Sequence, residues 1–307
     1  NDDEKLWSFH RRRVARESES SIVLIGSSRM QIGLNQSKFT ELTRHKTIQL
    51  AVTGESPIPV LKDFAEDESF RGTIISDFAD YLIYQKEKYP NYPQQITDWI
   101  KFYHESKTGD DFEFRLQVYG RYLVANPNLG KNTPEVLKNI VTGQAFESRN
   151  AERLITDVHP TFFDRSLIFD MDKFLTREEK NAIIDMQRQS YIETLKSAIQ
   201  KDPPQPQFFL EISNKIEEYV KKIQSRGGKV IIVYFPTSGE VGRLNEIALP
   251  RKLFWDVLAT KTTAKTIHFQ DYPQLQFECP DGSHLDPKDT PKFTEELVKI
   301  IGSDLQK

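Results

Sequence analysis

The 307-residue chain predicts an α/β fold: a five-stranded parallel sheet between helices, in three layers, interrupted by a mostly helical insertion. Three observations lead there. Short, unbroken apolar runs such as Ile22-Val23-Leu24-Ile25 and 229–235 (KVIIVYF) have the length and β-branched content of strands buried on both faces. Each run stops at a glycine, a proline or a polar turn. Segments of amphipathic, helical length separate them, the alternation from which right-handed parallel crossovers are built.

Residues 1–20 form a charged helical lead-in, with Leu6, Trp7 and Phe9 on one apolar face. The basic cluster His10-Arg11-Arg12-Arg13 reads as a solvated helix end; a lipid-headgroup contact is the alternative. The first strand, 22–25, ends at Gly26-Ser27-Ser28-Arg29, where glycine permits a sharp turn and either serine can cap the helix that follows. A helix over 36–45, a strand over 47–52 ending at Thr53-Gly54, a helix over 58–68 and a third strand over 72–76 ending at Asp77-Phe78-Ala79-Asp80 complete the first part of the core, 21–84.

The pattern changes between 85 and 205. Aromatic residues become dense, prolines and charges interrupt them, and 177–200 has helical spacing with Ile183, Met186, Ile192, Leu195 and Ile199 near one face. This stretch reads as a helical insertion that forms a lid or substrate wall, closed by a stiff linker at 202–206 (DPPQP). The alternation returns over 206–307. A helix over 209–226 stops at Gly227-Gly228, strands follow at 229–235 and 266–270, and a helix covers 250–260. A last helix is expected to start with Asp286 as N-cap, Pro287 at N1 and Asp289 at N3.

A net charge of −3 gives no electrostatic footprint for nucleic acid. The single cysteine, Cys279, excludes an intrachain disulfide. The six histidines are scattered without metal-ligand spacing, so no metal is expected, and no glycine-rich phosphate loop or other cofactor motif is present. No run reaches membrane-span length. The chain begins Asn1-Asp2 without a methionine, as expected of a trimmed or processed product, which leaves room for a removed leader or anchor.

Two features carry chemistry: a serine at the end of the first strand, and Asp281-Gly282-Ser283-His284 before the last helix. In a doubly wound sheet both lie at the edge where the carboxyl ends of the strands converge. A nucleophilic serine needs a base, and the base needs an orienting acceptor on its other ring nitrogen. Asp and His three apart in a tight loop can form that pair. Taken singly, each has a plainer reading: Ser28 as a helix cap, His284 as a loop histidine bonded to backbone, Asp281 as a turn former beside Gly282.

These segments resemble the SGNH/GDSL hydrolase superfamily, whose core is a flavodoxin-like α/β/α sandwich. Gly26-Ser27-Ser28 is similar to its Gly-Asp-Ser block, which implies Ser28 as nucleophile with Ser27 in the aspartate's place. Asp281-x-x-His284 matches its Asp-x-x-His block, implying His284 as base and Asp281 as its orienting partner. Gly54 fits the glycine whose N–H joins that of Ser28 in the oxyanion hole. The third block, Gly-x-Asn-Asp, departs: the stretch here is Asp77-Phe78-Ala79-Asp80, with only Asp80 in common. Arg29 is a candidate for the lost oxyanion support or for clamping an anionic substrate, with Asp80 a further candidate for substrate or oxyanion support; a structural ion pair of Arg29 with Asp77 or Asp80 is the alternative. His159 and the aromatics of the insertion are candidates to line a sugar groove, or else pack a helical subdomain.

Gly-Ser-Ser-Arg in place of Gly-Asp-Ser resembles the divergent branch found beside membrane-bound O-acyltransferases. The resemblance implies a serine esterase or O-acetyltransferase acting outside the bacterial cell on acylated carbohydrate or another small ester, often behind a membrane anchor. The alternative is a catalytically degenerate protein of the same fold that binds a polysaccharide or a membrane acyltransferase partner; Ala79 in the asparagine position favours it.

Overall fold

The structure, a computed structural model, describes residues 2–17, 21–89, 91–92, 94–106, 164–165, 175–201 and 205–305. Five parallel strands pair in the order β2-β1-β3-β4-β5: β1 Ile22–Ile25, β2 Thr47–Gln49, β3 Thr73–Asp77, β4 Lys229–Tyr234 and β5 Lys265–His268. Ile22 of β1 stands opposite Thr47 on one side and Thr73 on the other, and every residue of β1 is buried. The apolar run 22–25 is therefore unbroken because neither face nor edge of this strand meets water. The chain runs from β1 to β2 on one side and then returns past β1 to β3. That reversal opens a crevice at the carboxyl ends of β1 and β3, where sheets of this kind bind ligands.

The strand ends differ slightly from expectation. β3 extends to Asp77, which pairs with Val233, so this aspartate belongs to the sheet edge and not to the loop beyond it. The expected 47–52 strand is regular only to Gln49, but Leu50 N–H still donates to Leu24 O (2.7 Å) and Val52 N–H to Gly26 O (2.8 Å). β5 ends at His268, not at 270: the His268 ring accepts from Gln270 N–H (3.2 Å), and the chain curls into a 3₁₀ turn at Phe269–Asp271.

Among the described residues the helices are α1 Glu4–Glu17, α2 Ser28–Gly33, α3 Gln36–Thr43, α4 Ile58–Glu66, α5 Asp80–Lys88, α6 Gln95–Glu105, α7 Arg177–Lys201, α8 Pro206–Gln224, α9 Gly239–Ala248, α10 Trp255–Lys261 and α11 Thr290–Leu305. Helices α1, α6, α4, α8 and α10 pack as one contiguous group, while α11 packs on α3 and α2 as another. Two helix groups about one parallel sheet are compatible with an α/β/α sandwich. The position between 84 and 85 lies inside α5, and α6 packs with α1 and α4, so the first described helices past 84 continue the core.

Three expectations are corrected. Pro206 is not linker but the first residue of α8, where its missing N–H costs nothing. The last helix begins at Thr290: the Asp286 carboxylate accepts from Lys288 N–H (3.0 Å) and closes a separate turn ahead of it. In α7 Ile192 and Leu195 are buried as expected, together with Ile184, whereas Met186, expected on the same face, is 60% exposed.

The lead-in is also more than a solvated arm. Trp7 is fully buried and its Nε1–H donates to Leu50 O (3.0 Å). His10 and Arg11, expected in solvent, are both 1% exposed. Arg11 Nε donates to Asp63 Oδ2 (2.7 Å), Nη2 to Asp67 Oδ2 (2.9 Å), and the guanidinium lies 4.0 Å from the Phe64 ring centroid. Burial works against the Arg11 charge, but Asp63, Tyr103 and Asp67 together outweigh it and the guanidinium pKa moves up. Removing the guanidinium leaves the buried Asp63 carboxylate short of its partner, so Arg11→Ala is expected to lower unfolding free energy by about 3–5 kcal/mol, measured by urea denaturation; a loss below about 1 kcal/mol would show that α1 is only loosely docked.

Candidate functional site

The site begins at the end of β1. Gly26 has φ +139°, and a Cβ there would fall 2.2 Å from Asp77 Oδ1, so the turn requires glycine on both conformational and steric grounds. Ser27 caps α2, its Oγ accepting from Arg29 N–H (3.2 Å). The cap is thus Ser27, and Ser28, the first helical residue, is left with a half-buried hydroxyl facing the crevice loop.

The partner arrives from the far end of the chain. Asp281-Gly282-Ser283-His284 forms a tight loop in which Gly282 (φ +87°) packs so closely on α9 that a Cβ would sit 2.5 Å from Val241. Gly282 O accepts from Ser238 N–H (3.1 Å), and Cys279 N–H donates to Ser238 Oγ (2.8 Å), fastening the loop to the segment after β4. Asp281 is 3% exposed. Its Oδ1 accepts from Ser283 N–H (2.9 Å) and His284 N–H (2.8 Å), and its Oδ2 lies 2.7 Å from His284 Nδ1. Burial opposes the Asp281 charge, but the ring bond and charge of His284, with the two amide bonds, prevail and hold the carboxyl below its ordinary pKa.

With Asp281 ionised, the short Nδ1 contact calls for a proton on Nδ1, and in the neutral imidazole this leaves Nε2 as the acceptor. Nε2 is 2.8 Å from Ser28 Oγ. Serine hydroxyl, imidazole and carboxylate, separated by more than 250 positions in sequence, thereby form one hydrogen-bonded line. The arrangement can take a proton from Ser28 while the imidazolium that forms stays stabilised. Cys279 does not compete as a nucleophile: burial, with the nearby Asp281 charge, pushes its thiol up to about 12.

Gly54 lies in the turn after β2, tied to the Ser28 helix by Thr53 Oγ1 donating to Gln31 Oε1 (2.8 Å). The N–H groups of Ser28 and Gly54 hydrogen-bond to none of the described residues. Arg29 takes the ion-pair alternative and selects Asp80: Nη1 is 3.8 Å from Asp80 Oδ1, while Nε donates to Ser283 Oγ (3.2 Å). Burial disfavours its charge, but Asp80, helped by Tyr234 and Asp77, moves the guanidinium pKa up. Asp77 instead accepts from Ser27. His159 lies outside the described residues.

The sequence reading missed several neighbours. Asp80 Oδ2 accepts from Tyr234 Oη and from Asn245 Nδ2 (2.7 Å), a buried cluster beneath Arg29. Helix α7 reaches the histidine loop: Arg188 Nε donates to Pro280 O (3.2 Å), and the Tyr191 ring centroid stands 6.1 Å from that of His284. Tyr191 is raised in pKa by burial and then by the Asp281 charge, so the phenol is neutral. An aspartate closing an apolar strand was the available signal for Asp77; nothing local marks Tyr191, Tyr234 or Asn245. No group of His, Cys, Asp and Glu suited to a metal occurs among the described residues, and no described helix is long and apolar enough to cross a membrane.

No family model and no curated protein matches the chain in sequence.

Because folding lowers the Asp281 pKa, the unfolded chain binds more protons than the folded one as the carboxyl titrates. The stability this carboxylate contributes is complete above its unfolded pKa, ~3.9, and is lost as pH falls through the lower folded value. The difference in urea midpoint between the wild type and Asp281→Asn is therefore expected to shrink below about pH 4; a difference that widens there would contradict the assignment.

Proposed function

We propose that the chain is an SGNH-type, flavodoxin-like serine esterase or O-acetyltransferase acting on acyl esters of carbohydrate. The observation that carries the reading is the His284 ring standing between Ser28 Oγ at 2.8 Å and Asp281 Oδ2 at 2.7 Å. Ser28 Oγ attacks the acyl carbonyl as His284 Nε2 takes its proton. Asp281 keeps the ring in the tautomer that can accept and stabilises the imidazolium. The oxyanion is held by the N–H groups of Ser28 and Gly54, whose lack of other partners among the described residues supports this role. His284 then returns the proton to the leaving alcohol. The acyl group passes to water in an esterase, or to a sugar hydroxyl in a transferase.

Ala79 stands where the resemblance calls for a third oxyanion donor. Loss of one such donor costs about 3–4 kcal/mol of transition-state stabilisation, or ~10²–10³ in rate. Turnover of simple esters is therefore expected to be slow. An extracytoplasmic location, with a cell-surface glycan as substrate and a membrane-bound O-acyltransferase as partner, completes the proposal. The rival, a non-catalytic binding protein, takes its support from Ala79 alone.

With p-nitrophenyl acetate, Ser28→Ala and His284→Ala are each expected to lower turnover by about a thousandfold or more, to background. A fluorophosphonate probe is expected to label the wild type and not Ser28→Ala. Unlabelled wild type that is otherwise folded would favour the binding protein over the enzyme.

A further inference from the structure

Asp77 is 1% exposed at the end of β3, next to the turn that carries Ser28. Its Oδ2 accepts from Ser27 N–H (3.0 Å), Ser27 Oγ (2.6 Å) and Met30 N–H (3.2 Å). All three donors belong to residues flanking Ser28 and Arg29. Ser27 Oγ in turn accepts from Arg29 N–H (3.2 Å). Of the amides from 27 to 30, that of Ser28 remains without a partner among the described residues. The other carboxylate oxygen, Oδ1, is buried without a hydrogen bond and lies against Gly26, where any Cβ would collide with it. The turn is thus shaped around this carboxylate.

We propose that Asp77 is the positioning residue of the nucleophile. By occupying the amides of Ser27 and Met30, it holds the Ser28 hydroxyl in line with His284 Nε2 and leaves the Ser28 N–H as the amide free for the oxyanion. This rests on the ester-chemistry reading above. A carboxylate serving only to stabilise the strand end would bond to β-strand neighbours; the three bonds of Asp77 all go to the turn. Burial raises the Asp77 pKa, while its bonds from Ser27 and the charge of Arg29 oppose the rise. The role needs the acceptor oxygen, which asparagine also carries.

The test compares Asp77→Ala, Asp77→Asn and Ser27→Ala with the wild type, each checked for cooperative thermal unfolding. With p-nitrophenyl acetate, Asp77→Ala is expected to lower kcat about tenfold to a hundredfold while KM stays within about twofold. Asp77→Asn, which keeps an oxygen facing the same donors, is expected to recover most of that loss. Ser27→Ala, which removes only the hydroxyl, is expected to lower kcat several-fold and serves if Asp77→Ala does not fold. Wild-type kcat in Asp77→Ala or Ser27→Ala, a change in KM alone, or Asp77→Asn as slow as Asp77→Ala would overturn the proposal. The ¹⁵N signal of His284 Nε2 reads the same geometry without relying on turnover. It is expected to shift in Asp77→Ala and Ser27→Ala and to hold in Asp77→Asn; an unmoved signal in the first two overturns the role of Asp77. A wild type with no turnover sinks the ester reading and leaves this signal to judge Asp77.

Discussion

A carboxylate closed off from water must find hydrogen-bond donors, and Asp281 meets that demand in a way that shapes the whole site. One oxygen takes two successive backbone amides, from Ser283 and His284, and bends the loop back on itself. The other takes the imidazole of His284. The same carboxylate therefore sets the loop conformation, the position of the ring and which ring nitrogen carries the proton. The direction in which Nε2 points, toward Ser28, follows from those bonds. Gly282 makes the bend sterically feasible, and Val241 of α9 is the surface against which it closes.

Two more buried carboxylates stand at the end of β3 and just beyond it, and each finds donors on a different element. Asp77 turns toward β1 and takes the amides and hydroxyl around Ser28. Asp80 turns toward β4, receives Tyr234 and Asn245, and faces Arg29 across 3.8 Å. Arg29 also donates to Ser283, which is beside His284. Arg29 thus connects the β1 turn, the α5 start and the histidine loop. The Asp80 contact is an ion pair and not a hydrogen bond: Arg29 Nη1 is buried without a hydrogen-bond partner. The buried Tyr234 stays a phenol, its pKa driven well above 10 by burial and by Asp80.

Helix α7 is firmly attached beside the histidine loop. Arg188 grips Pro280 O and Tyr191 stands beside the His284 ring, so α7 borders the Ser28–His284–Asp281 line on the side of the histidine loop. At the other side of the sheet, Arg165 is fully buried and donates to Gln49 O (3.0 Å) and Ala51 O (3.0 Å), with Asp2 as its counter-charge. Two points of the insertion are thereby anchored near the carboxyl ends of strands.

The amino-acid sequence alone determined the parallel sheet, because a strand buried on both faces has to be apolar throughout and 22–25 and 229–235 announce it. It also marked the serine pair after the first strand and the Asp281-x-x-His284 loop, since tight turns at strand ends need glycine and polar residues that read locally; the choice of Ser28 and of Gly54 came from the family resemblance. It misjudged His10 and Arg11, as local charge does not reveal that Asp63 and Asp67 lie across the helix interface. Tyr191, Tyr234 and Asn245 were illegible for the same reason, their partners being distant in the chain. Only the tertiary structure decided which serine caps the helix, which aspartate receives Arg29 and whether the histidine reaches the hydroxyl. Those are matters of hydrogen-bond geometry between segments that fold together, and a linear pattern does not encode the distance between them.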